Sequence, residues 1–147
     1  MLDAEARERV IVALDCDHEE ALSLADALSG HAKWLKVGMT LYYAEGPSIV
    51  REFKERGFKV FLDLKFHDIP HQVRGAARSA AGAGADLLSV HGLGAGAMLK
   101  AAREGAEEAA EAMGAERAKL VAITVLTSMD EAAMEQIGLT CPIADEA

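Results

Sequence analysis

Cysteine is scarce in this chain, with only Cys16 and Cys141 present. They lie far apart and match no ligand spacing, which excludes a disulfide framework and a thiolate metal site and leaves two reduced thiols. Long apolar runs are missing too. None approaches the ~20 residues of a membrane span, and Met1 to Val10 is charged from Asp3 onward, unlike a secretory signal, so a cytoplasmic protein is expected. Positive charge is the third shortage. Lys and Arg number 15 against 24 Asp and Glu, for a net charge of -9, which argues against a nucleic-acid or acidic-membrane partner. An anionic ligand would have to find its positive contacts locally. Apolar residues, by contrast, make up 51% of 147 positions, enough for one ordinary core.

Two periodicities alternate along the chain. Short apolar runs at Val10 to Asp15, Trp34 to Val37, Lys59 to Lys65, Leu87 to His91 and Leu120 to Leu126 predict strands. Helices are predicted between them, at Glu19 to Leu28, Tyr42 to Arg56 with a break near Gly46-Pro47, His71 to Ala83 and Ala95 to Met113, with another starting at Asp130. Asp17 and Asp130 are expected N-caps, and Gly57 and Gly114 expected helix stops. The Ala- and Glu-rich stretch from Ala95 to Ala118 reads as ordinary helix with a solvated face. Near-continuous apolar strands alternating with helices imply a parallel sheet covered on its outside.

The third strand ends by placing Asp63, Lys65 and Asp68 within six positions. Alternation puts Asp63 and Lys65 on the face of Phe61, the face an apolar strand turns inward. An unpaired inward charge costs roughly several kcal/mol, so such a cluster implies compensating neighbours or a function. Other strands also end in polar groups: Asp15, Lys36, His91, and Thr127 with Ser128. That distribution favours a (β/α)8 barrel over an open doubly wound sheet, because barrel sites are assembled from many strand C-termini. A full barrel takes about 250 residues. Five strands here imply a single partial barrel domain over 1–147, lacking C-terminal βα units, either a truncated chain or an open piece whose first and fifth strands need cover.

Val-Ala-Leu-Asp15, Lys36-Val-Gly, Asp63-Leu-Lys65-Phe-His-Asp68-Ile-Pro, Ser-Val-His91 and Thr-Val-Leu-Thr127-Ser occur in order, and from about Val10 to Leu139 the chain resembles orotidine 5'-phosphate decarboxylase. The resemblance implies a (β/α)8 homodimer without cofactor or metal that converts orotidine monophosphate to UMP in pyrimidine synthesis. It implies that Lys65 donates the proton to the carbon left by CO2, that Asp63 lies against the substrate carboxylate, and that Lys36 links that region to the ribose. Asp15 would bind ribose hydroxyls, Thr127 would contact substrate, and Asp68 and Ile69 would reach the neighbouring subunit's site, with Asp68 counted among the catalytic residues. Gln72 stands where the family commonly has Thr, which alters one hydrogen bond near the ribose or phosphate.

The charges support this chemistry independently. Losing a carboxylate beside Asp63 as neutral CO2 removes a repulsion, while Lys65 meets the developing carbanion. Flanking carboxylates favour the ammonium form of Lys65, hence an acid and not a Schiff-base nucleophile. Blander readings compete: a structural Asp-Lys ion pair, a turn role for Asp15, a hydrogen-bonded rim position for His91, and a tight strand-to-helix turn for Gly92-Leu-Gly94-Ala-Gly96. His67 and His71 are separated by Pro70, which spoils a helical metal pair. The related magnesium-dependent 3-keto-gulonate 6-phosphate decarboxylases carry an acidic residue where this chain has Lys36, a cation that would repel the metal. A non-catalytic fragment or assembly half is the other alternative. In the resembled family the phosphate-gripping loops follow the sixth to eighth strands, so the 147-residue chain alone is expected to have little activity.

Overall fold

The structure, a computed structural model, describes residues 4–146; Met1 to Asp3 and Ala147 lie outside it. Five strands, β1 (Ile11–Leu14), β2 (Trp34–Gly38), β3 (Lys59–Phe66), β4 (Leu87–His91) and β5 (Lys119–Ile123), form one parallel sheet in the order β1-β2-β3-β4-β5. The helices are α1 (Ala4–Arg9), α2 (His18–Leu28), α3 (Met39–Glu45), α4 (Ser48–Glu55), α5 (Pro70–Gly82), α6 (Ala95–Met113), α7 (Glu131–Gln136) and α8 (Ile143–Glu146). The sheet is not closed: β1 and β5 remain edges, as in an incomplete (β/α)8 barrel.

Register explains which face is covered. Leu14, Val37, Leu62 and Leu88 lie side by side across four strands, and with Leu35, Val60 and Val90 they are buried in one core with Ala21 and Ala25 of α2, Phe53 of α4, and Val73 and Ala77 of α5. On the opposite face, none of Ile11, Trp34, Phe61 or Val121 belongs to that core. Ile11 remains 40% exposed there and Val121 37%. Phe61 and Asp63 belong to this face, away from the helices that pack on the Val60 and Leu62 side, and there Asp63 is buried and Phe61 half-buried.

Asp17 and Asp130 do cap their helices, accepting from the N–H of Glu20 at 2.9 Å and of Ala133 at 2.8 Å. The break near Gly46-Pro47 separates α3 from α4, with Gly46 at φ 69. Two strands stop earlier than their apolar runs. β5 ends at Ile123 instead of Leu126 because its one neighbour, β4, ends at the partner residue His91. β1 ends at Leu14, paired with Val37, and leaves Asp15 beyond the ladder. Within Ala95 to Ala118, α6 has the expected solvated face, with Lys100, Arg103 and Glu111 exposed, and a packed one. Ala102, Gly105, Ala106 and Ala109 of α6 are buried, and a Cβ on Gly105 would overlap the Arg74 carbonyl oxygen of α5, so small residues there let two helix backbones approach closely.

Candidate functional site

The C-terminal ends of β1, β2 and β3 bring four charges of alternating sign into one row. Lys36 Nζ lies 3.3 Å from Asp15 Oδ1 and 3.6 Å from Asp63 Oδ2, and Lys65 Nζ lies 2.9 Å from Asp63 Oδ1. Strand order produces the row directly, since Gly38, two residues beyond Lys36, pairs with Asp63. Asp15, at one end, is exposed, and Asp63, between the two lysines, is buried.

Burial pushes the Asp63 carboxyl up, but hydrogen bonds from Lys65 and Ser89, with the charges of Lys65 and Lys36, outweigh it and hold the group below the usual carboxylate range. A carboxylate kept ionised between two ammonium groups is a fixed negative charge at neutral pH. It can repel a second anion placed beside it while the lysines attract one.

Asp63 and Lys65 share a side, though not through regular alternation. The β3–β4 register runs Leu62↔Leu88 and then Phe66↔Val90, so three residues of β3 face the single Ser89 of β4. Lys65 sits at φ 51 within this bulge, a left-handed conformation uncommon for a non-glycine residue and concentrated at functional sites.

The remaining predicted residues stand outside the row. A cleft of about 460 Å³ beside β3 and α5 is lined by Lys65, Asp68 and Gln72 together with Tyr42, Tyr43 and His67. Asp68 turns its Oδ1 to the Ile69 N–H at 2.6 Å, and among the described residues no ion pair ties it to Lys36 or Lys65. Ile69, the residue before α5, is 63% exposed. Thr127 is exposed in the segment after β5 and is not drawn into the row.

His91 differs from its expected hydrogen-bonded rim role. Its Nδ1 is buried without a hydrogen-bond partner among the described residues, and the ring stacks on His67 with centroids 4.8 Å apart. Burial, then the neighbouring His67 and Lys65, lower its pKa. The glycine run after it does form a tight turn, a short 3-10 segment at Gly92–Gly94 leading into α6.

Two residues bearing on the row escaped the sequence reading. Ser89, fully buried, donates from Oγ to Asp63 Oδ1 at 2.8 Å and accepts from the Lys65 N–H at 2.8 Å. Gly38 leaves space beside Asp15 and Lys36. Both lay inside quoted motifs, but neither residue type announces such a role.

Residues 8–145 match the family model described as Orotidine 5'-phosphate decarboxylase / HUMPS family. The orotidine 5'-phosphate decarboxylase of Maridesulfovibrio salexigens is 55% identical over 123 residues, covering 83% of this chain and 53% of that protein. That of Alkalilimnicola ehrlichii is 50% identical over 143 residues, covering 97% and 58%. The crystal structure of orotidine 5'-phosphate decarboxylase from Lactobacillus acidophilus aligns with a TM-score of 0.86 at 36% identity, over 95% of this chain and 63% of that one. The chain therefore spans a little over half the length of these curated relatives.

Proposed function

Because the chain belongs to the orotidine 5'-phosphate decarboxylase / HUMPS family, we propose that it carries the decarboxylating part of an orotidine 5'-phosphate decarboxylase, which forms UMP and CO2 in pyrimidine synthesis. The observation that carries this reading is the alternating row Asp15–Lys36–Asp63–Lys65. The substrate carboxylate lies beside Asp63, where two anions repel. The bond from the pyrimidine carbon to the carboxylate breaks, CO2 leaves, and the electron pair stays on carbon. Lys65 gives that carbon a proton from its ammonium group. The favourable interaction grows as the reaction proceeds, which is what lowers a barrier. Lys36 and Asp15 hold the ribose side, and Thr127 belongs to the substrate contacts of the same reading.

Asp68 and Ile69, exposed just before α5, are assigned to the site of a second subunit in a homodimer, and Gln72, exposed in its first turn, to the ribose or phosphate contacts. A cytoplasmic setting belongs to the same proposal and is supported by two free cysteines, Cys16 and Cys141. No cofactor or metal enters the step. Lys36 favours this over a magnesium-dependent decarboxylase, since its ammonium stands between the carboxylates of Asp15 and Asp63, where a divalent ion would meet a fixed positive charge.

The test is the loss of orotidine monophosphate absorbance, measured together with solution mass. The reading expects Lys65→Ala in the active enzyme to lower turnover by at least about a hundredfold while nucleotide binding persists. Normal turnover by that variant would refute the role of Lys65.

A further inference from the structure

Opposite Asp63, Leu64 and Lys65 of β3, strand β4 offers one residue, Ser89. A bulge of this kind takes ladder groups away from their partners, and a buried N–H without an acceptor costs about 1–3 kcal/mol. The Lys65 N–H is such a group, and its acceptor is Ser89 Oγ at 2.8 Å.

A backbone N–H can only donate, so this bond uses a lone pair of the hydroxyl. The serine proton is then directed elsewhere, and the other partner in range is Asp63 Oδ1, also at 2.8 Å. Asp63 Oδ1 therefore accepts from both Ser89 and Lys65 Nζ, while Oδ2 is left toward Lys36. One hydroxyl sets the rotation of the carboxylate and the backbone geometry of the lysine.

We propose that Ser89 is a positioning residue that locks Asp63 with Oδ2 turned toward Lys36 and holds Lys65 in its left-handed conformation. The use made of the locked pair rests on the decarboxylase reading; the lock itself does not. Alanine at position 89 removes both bonds at once. Threonine keeps the hydroxyl.

The test is nuclear magnetic resonance on the isotopically labelled 147-residue chain, following hydrogen exchange of the Lys65 amide and titration of the Asp63 carboxyl carbon. In Ser89→Ala the Lys65 amide is expected to exchange about tenfold faster, with exchange at Leu35 and Leu88 unchanged. The Asp63 titration is expected to move upward, and Ser89→Thr to restore both readouts. If the alanine variant does not fold, Ser89→Cys, close in size with only a weak S–H donor, is expected to show the same two losses. Wild-type Lys65 exchange and Asp63 titration in a folded Ser89→Ala or Ser89→Cys would overturn the proposal. Neither readout involves turnover, so failure of the decarboxylase reading and failure of the lock are separately visible.

Discussion

Asp15 and Lys36 meet at 3.3 Å across the first two strands, and Gly38 is what leaves them room. A Cβ at position 38 would lie 3.3 Å from Asp15 Oδ1, tighter than most Cβ contacts, and 3.5 Å from Lys36 Nζ, an ordinary contact. Gly38 has φ -88, so alanine is sterically allowed by the backbone and the conflict falls on the ion pair alone. Gly38→Ala is expected to leave folding stability within about 1 kcal/mol of wild type. The decarboxylase proposal expects the affinity of the variant for UMP, read by calorimetric titration, to fall roughly threefold to tenfold.

Asp63 makes stability depend on acid. Its folded-state pKa lies below the unfolded value, so the unfolded chain binds the proton first as pH falls. The stabilisation is complete above the unfolded value of about 4 and is lost as pH drops through the lower folded value. Asp63→Asn abolishes that contribution. Urea unfolding followed from pH 6 down to pH 3, roughly, is expected to give a shallower acid loss for the variant than for the wild type.

His91 is expected to titrate below the ordinary histidine value, with His67→Ala moving it back up by opening its surroundings and removing a neighbouring charge. A histidine with a depressed folded-state pKa contributes stability above about pH 6.5 that is lost as pH falls through its folded value. Imidazole carbon-proton shifts recorded from about pH 4 to 8 measure both positions directly.

Gly105→Ala sets two effects against each other. Alanine gains roughly 1 kcal/mol of helix propensity. Its Cβ would overlap the Arg74 carbonyl oxygen and lie 3.1 Å from the Arg78 nitrogen, backbone atoms that cannot swing aside. Overpacking costs about 1–3 kcal/mol, so the net change in urea unfolding is expected to be destabilising. Gly96→Ala, which meets nothing within 4 Å, is the control and is expected to be neutral or stabilising.

The sequence was most legible where local chemistry and ladder geometry agree. Leu87 to His91 and Ala95 to Met113 match β4 and α6 residue for residue, and the Asp17 and Asp130 caps follow from side chains that reach their own helix starts. Strand ends were less legible, because Val125 and Leu126 are as strand-like as Val121 but lie beyond the reach of β4. Helix α1 has no buried residue and hence no apolar stripe to betray it; Glu5 and Arg9 pair along its surface. In the site, alternation foresaw that Asp63 and Lys65 meet. It could not foresee Ser89, whose role exists only because β3 bulges, and that bulge puts Lys65, not a glycine, at positive φ.

Strand order bears on the birth of the site as well as its shape. Each strand pairs with the one made just before it, so no ladder waits for a strand made later than its immediate successor. Asp15, Lys36, Asp63, Lys65 and Ser89 all lie on or beside β1 to β4. During synthesis from the N-terminus, the charged row and its serine can therefore come together once β4 docks, while β5 is still emerging from the ribosome.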